Sequence, residues 1–210
     1  MDSFTLIRQL RLQASDIKDQ LWMQNFLTAH WWLIAITIAA SYIIWWKFVD
    51  KRRVIEILLF GSYIAVCRLI FDNWGISSGR WTYTFDLLPI GYSLFLNDLT
   101  VVPLFLMLVY QYSLDWKTFL VWLLIVQGIF SFALLPLLTY LGILKIYNWT
   151  YYGSFIFMLV TAIVMRAIMI FGLSLQKESR VNHPVPSPST LVSQPAMKPM
   201  ETNDDGKEGH

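Results

Sequence analysis

Arg68 and Asp72 stand four residues apart inside an apolar run, so a helix there places both on one face. Downstream, Arg80, Trp81, Tyr83, Asp86 and Asp98 add a cation, two rings and two carboxylates to a stretch punctuated by Gly and Pro. Aromatic faces beside carboxylates suit a bound cation or a polar headgroup. Carboxylates that burial keeps protonated suit proton donation to an isoprenoid-like substrate. The plainer alternative is a loop turned at Gly75, Gly79, Pro89 and Gly91, with Asp98 capping the helix that follows. Both readings stay open.

A second set lies within the apolar runs themselves. Charged side chains are costly at membrane depth and mark either structural pairs or transport paths. Arg166 falls inside the apolar stretch 155–173, and Glu56 stands just inside the stretch that begins at Val54. We expect these two to pair across the bundle, with snorkelling of Arg166 as the alternative. Gln127 is a third polar residue at mid-span, suited to an interhelical hydrogen bond. Glu56, Arg166 and Gln127 together are what a small carrier or channel subunit would use.

Signatures of other chemistry are missing from the sequence. His30, His183 and His210 are isolated, no His-Glu-x-x-His zinc motif occurs, and no Gly-rich phosphate loop occurs. Cys67 is the single cysteine, which excludes a disulfide framework and reads as a buried apolar thiol. Neither a metal nor a cofactor is implied. The net charge of +2 is too small to suggest nucleic-acid binding.

The elements that must hold these residues follow from composition. Of 210 residues, 56% are hydrophobic and 14% charged, and the mean hydropathy is +0.51. A soluble chain of this size has too much surface to hide so much apolar area. The chain is therefore expected to be an all-α membrane protein in contact with the lipid bilayer. A crossing helix needs about 20 apolar residues. Five stretches qualify: 31–49, 54–71, 96–112, 119–143 and 151–175. The third is opened by Asn97 and Asp98 and contains Pro103, and residues 87–95 offer a re-entrant alternative. Trp31, Trp32, Trp45, Trp46, Trp116, Tyr147, Trp149, Tyr151 and Tyr152 fall near the ends of these stretches, as an aromatic belt requires. Pro136 is expected to kink the fourth span.

Residues 1–30 carry no signal-peptide pattern. Instead Ile7, Leu10, Ala14, Ile17 and Leu21 recur at helical spacing, with Arg8, Arg11, Asp16 and Asp19 elsewhere, the pattern of an amphipathic interfacial helix. Residues 176–210 are expected to form a disordered Pro/Ser-rich tail. Lys47, Lys51, Arg52 and Arg53 fill one connection, Lys117 lies on the same side, and Lys177 and Arg180 follow the last span. The positive-inside rule then places the C-terminus in the cytoplasm and the N-terminus outside.

Trp81, Thr82 and Tyr83, then Asp86, Pro89, Asp98, Pro103 and finally Tyr110, Gln111 and Tyr112 resemble a family of small multi-pass membrane proteins common in Bacillus and Clostridium relatives. The resemblance covers about 30 residues and implies a bacterial cytoplasmic membrane, but no particular reaction. A weaker similarity is to membrane-embedded carotenoid cyclases, whose paired glutamates are absent here. The leading expectation is a non-enzymatic membrane protein acting through a lipid, a membrane-protein partner or a second copy of itself. A small transporter or channel subunit and a lipid- or isoprenoid-modifying enzyme are the alternatives.

Overall fold

The computed structural model describes residues 2–85, 87–88 and 99–182, the side chains of 179–182 excepted. Helix α1 covers Ser3–Asn25, α2 Ala29–Phe48 and α3 Val54–Ser77. Strand β1, Trp81–Tyr83, follows. Helix α4 covers Val101–Tyr112 and α5 Trp116–Ile129; α5 runs through a π-helical turn, Phe130–Leu134, into α6, Leu135–Tyr140. Strand β2, Leu144–Ile146, precedes the long helix α7, Tyr151–Asn182. The architecture is an all-α membrane bundle with one short antiparallel ribbon.

Among the described residues, four helical stretches are long and apolar enough to cross a membrane: Ala29–Phe48, Val54–Ser77, Trp116–Tyr140 and Tyr151–Glu178. They coincide with four of the five expected spans. The remaining one, expected at 96–112, is described from residue 99. Its helix α4 has 12 residues, a rise of about 18 Å against a hydrocarbon core of about 30 Å. Its surroundings explain how so short an apolar helix persists. Eight of its residues are buried, and it packs on α2, α3 and α5. A helix apolar on every side belongs inside protein. Pro103 lies in its first turn, where the missing N–H has no intrahelical partner to lose. The re-entrant alternative falls almost wholly outside the described residues.

The core forms where α3, α4, α5 and α7 meet. Ile57, Phe60 and Ile64 face Leu106 and Met107, with Phe119, Leu123, Met158 and Ala162 closing the cluster. Lipid tails are as apolar as these side chains, so fit and close approach hold the helices together. Gly61 shows the principle: a Cβ there would overlap the Met107 side chain. Trp45 departs from the expected belt. It is buried in this core, whereas Trp46 beside it is exposed, because successive helical residues point 100° apart.

Pro136 acts one turn earlier than a simple kink would. Its ring has no N–H to offer and would strike the carbonyl four residues back. The ladder widens instead, and Leu135 N–H donates to the Phe130 carbonyl, five residues back. At the C-terminal end of α3, Gly79 adopts φ +68° and ends the helix, with Arg80 N–H donating to the Gly75 carbonyl. The chain then enters β1, which pairs Trp81 with Ile146 and Tyr83 with Leu144.

The chain divides into two compact units, Met1–Met169 and Ile170–His210. In the second, α7 continues as helix to Asn182, beyond the expected boundary at 176, and each side chain from 170 to 178 is exposed. The rest of the expected tail lies outside the described residues.

Candidate functional site

The buried face of α3 carries Ile57, Phe60, Gly61, Ile64, Ala65, Arg68, Phe71, Asp72 and Gly75 at spacings of one and three. Arg68 and Asp72 thus continue the core stripe rather than facing lipid. Asp72 is 1% exposed. Its Oδ1 accepts the indole N–H of Trp81 and the hydroxyl of Tyr83, each at 2.9 Å. Strand alternation alone would send Trp81 and Tyr83 to the same side of the ribbon, and both reach this one oxygen. Asp72 Oδ2 is buried without a hydrogen-bond partner.

Two small cavities adjoin this cluster. One of about 30 Å³ is lined by Arg68, Tyr83, Gln127, Ser131 and Ser154 among apolar neighbours. The other, about 20 Å³, lies between Arg68, Asp72, Trp81, Tyr83 and Ser154. Each has room for one or two water molecules, and each offers several polar groups to hold them. Gln127 is buried with its Nε2 unpartnered. The π-helical turn places Ser131 on the same inner face as Gln127. Buried water would satisfy these groups; a substrate the size of an isoprenoid has no room in either cavity.

Arg80 leaves this cluster and joins another. Its guanidinium lies 4.4 Å from the Trp74 ring centroid and 5.2 Å from that of Trp149. Its carbonyl accepts Tyr147 N–H at 2.8 Å. Around it, Phe71 stacks on Phe157 at 3.8 Å, and Trp81 packs beside Trp149 at 5.6 Å. Trp149, expected in the belt, donates its indole N–H to Ser154 Oγ. The segment after α3 is therefore packed as a cluster of rings against α3 and α7. Asp86 and Asp98 lie outside the described residues.

The expected Glu56–Arg166 pair does not form. Arg53 stands three residues before Glu56 and reaches it at 2.7 Å, and the Tyr110 hydroxyl donates to Glu56 at 2.6 Å. The carboxylate is thereby fully engaged, and it holds the Arg53 guanidinium above its ordinary pKa. Arg166, 4% exposed, turns instead to the link between α4 and α5. Its Nη2 donates to the carbonyls of Ser113 at 2.9 Å and Asp115 at 3.2 Å. The rings of Phe119, Trp116 and Tyr110 surround it, with centroids 4.3, 5.2 and 5.8 Å from the guanidinium carbon. Asp115 does not pair with it either. That carboxylate caps α5, accepting from Thr118 N–H and Thr118 Oγ1–H, which holds it below the ordinary aspartate pKa.

Helix α1 buries none of its residues. Its C-terminal end is nonetheless tied down. Trp22 and Trp31 both donate to the Leu87 carbonyl, Asn25 donates to the Thr84 carbonyl, and His30 stacks on Phe85 at 4.4 Å. Between α1 and β1 runs an open cleft of about 180 Å³, with Ala14, Ile17, Lys18, Leu21 and Trp22 on one wall and Thr82, Tyr83 and Thr84 on the other. Sequence reasoning missed this cleft and the parts played by Ser113, Trp149 and Ser154.

Among the described residues no group of three or more His, Cys, Asp or Glu side chains is placed to hold a metal ion. No protein-family model, curated protein sequence or solved structure matches the chain.

Proposed function

We propose that this membrane protein is non-catalytic and binds phospholipid in the cleft between α1 and β1, on the outer face of a bacterial cytoplasmic membrane. The observation that carries this reading is the apolar stripe of α1. Ile17 and Leu21 are exposed, yet they line a cleft whose far wall is fixed by the β1–β2 ribbon. An acyl chain would cover the stripe, and the threonines opposite would meet the ester and headgroup region. The anchoring of α1 through Trp22 and Asn25 supports a fixed binding arm rather than a free tail. The outward orientation rests on Lys47, Lys51, Arg52 and Arg53 gathered at the other end of α2 and α3. The spacing of Trp81, Tyr83, Pro103 and Tyr110 supports a place in the small multi-pass family named above.

The test is native mass spectrometry after mild extraction. Phospholipid retained on the parent chain and lost from Ile17→Asp and Leu21→Asp is the expected result. A parent chain that emerges bare overturns the reading. A second copy or another protein in place of lipid would make the cleft a protein-docking site and overturns it equally.

A further inference from the structure

The buried guanidinium of Arg166 is only partly satisfied. Nη2 is held by the Ser113 and Asp115 carbonyls. Nε and Nη1 are buried with no hydrogen-bond partner, and so is the hydroxyl of Ser113 beside them. A guanidinium carries five N–H bonds, so three of them are buried here without an acceptor, as is the Ser113 O–H. No ion pair offsets the charge among the described residues. Glu56 is taken by Arg53 and Tyr110, and Asp115 faces Thr118. Among the described residues no carboxylate lies within ion-pair distance of Arg166. Carbonyl dipoles and the faces of Phe119 and Trp116 ease the cost of burying this cation without removing it.

We infer that Arg166 and Ser113 form a site for a phosphate oxyanion, supplied either by a phospholipid headgroup or by free phosphate. Water would answer the missing hydrogen bonds but not the missing charge, and a single oxyanion answers both. The place is apt. Ser113 belongs to the link between α4 and α5, whose next residue, Leu114, is 89% exposed. Lys117 follows on the same face of the membrane by the charge rule. Basic pockets between helices on that side take anionic headgroups. The site is independent of the outer cleft, and either can fail alone.

The experiment uses the full chain, delipidated in a neutral detergent, and reads Tm. One arm titrates sodium phosphate against sodium chloride at constant ionic strength. The other titrates short-chain phosphatidylglycerol against phosphatidylcholine. A rise in Tm of a few degrees with phosphatidylglycerol but not phosphatidylcholine assigns a lipid headgroup; a rise with phosphate too assigns the free anion as sufficient. Ser113→Ala should weaken the apparent affinity about tenfold, as expected for a lost hydrogen bond to a charged group, and Arg166→Lys should abolish the response. Equal responses to both lipids with none to phosphate, or a response unchanged in Ser113→Ala and Arg166→Lys, overturn the site. Should Arg166→Lys fail to fold, Ser113→Ala alone decides.

Discussion

Arg166 and Ser113 are 53 positions apart in the chain, and a guanidinium N–H joins them at 2.9 Å. This bond fastens the α4–α5 link to the middle of α7. It fixes where the largely buried helix α4 ends, because α4 stops at Tyr112 and the captured carbonyls begin one residue later. The buried Ser113 needs a donor from the fold for its carbonyl.

Truncating Arg166 should therefore loosen this end of the bundle. Arg166→Ala leaves the Ser113 and Asp115 carbonyls without their donor, and unfolding in detergent should show a loss of about 2–4 kcal/mol. A variant as stable as the parent would show that the link is held by packing alone.

Exchanging the charges of Glu56 and Arg166 should rescue nothing, because the two do not touch. Glu56→Arg with Arg166→Glu should be at least as damaged as the sum of the single variants in a double-mutant cycle. The exchange Arg53→Glu with Glu56→Arg keeps an i, i+3 pair and should recover part of the loss. A cycle that favours the first exchange over the second would contradict the geometry.

Asp72 anchors the β1 rings. Asp72→Ala removes the acceptor of the buried Trp81 Nε1 and of the half-buried Tyr83 Oη, and should cost about 1–3 kcal/mol. Asp72→Asn keeps a carbonyl oxygen in place and should cost less. Tyr83→Phe should cost about 1 kcal/mol. Equal effects of Asp72→Ala and Asp72→Asn in denaturant unfolding would show that charge, not acceptance, matters at this position.

Gly75 lies against a rigid ring. A Cβ there would overlap the Trp81 indole, so Gly75→Ala must push the indole away from Asp72. A loss of about 1–3 kcal/mol is expected, recovered in part when Trp81→Leu is added. Additive losses in the double variant would show that the two residues do not collide.

The cap of α5 gives the acid limb of stability its sign. Hydrogen bonds from Thr118 hold the Asp115 carboxyl below its ordinary value of 3.8. A depressed folded-state pKa means that the contribution is present above the unfolded value and is lost as pH falls through the folded one. Tm should therefore drop on acidification below about pH 4. In Asp115→Asn, which still accepts from Thr118 without titrating, the drop should be smaller. Identical acid profiles for parent and variant would place the titration elsewhere.

The sequence by itself determined the class of the molecule. Apolar runs of 18 or more residues have one home, so the all-α membrane bundle was legible from composition, although the sequence counted five spans where four described helices are long and apolar enough to cross. The Arg68–Asp72 face was legible too, since four positions on a helix always share a side. Partner choice was not. Glu56 had two cations within reach of the fold, and the local one won because an i, i+3 contact needs no tertiary alignment. Arg166 then met backbone carbonyls, which carry no residue signature. The meeting of Trp81 and Tyr83 on one Asp72 oxygen depends on a ribbon that pairs Trp81 with Ile146 and Tyr83 with Leu144, far apart in the chain. The α1 cleft depends on where Leu87 accepts its two indoles. Such long-range geometry is decided when helices pack, because side-chain and backbone groups shut away from water must find partners in whatever the fold brings near.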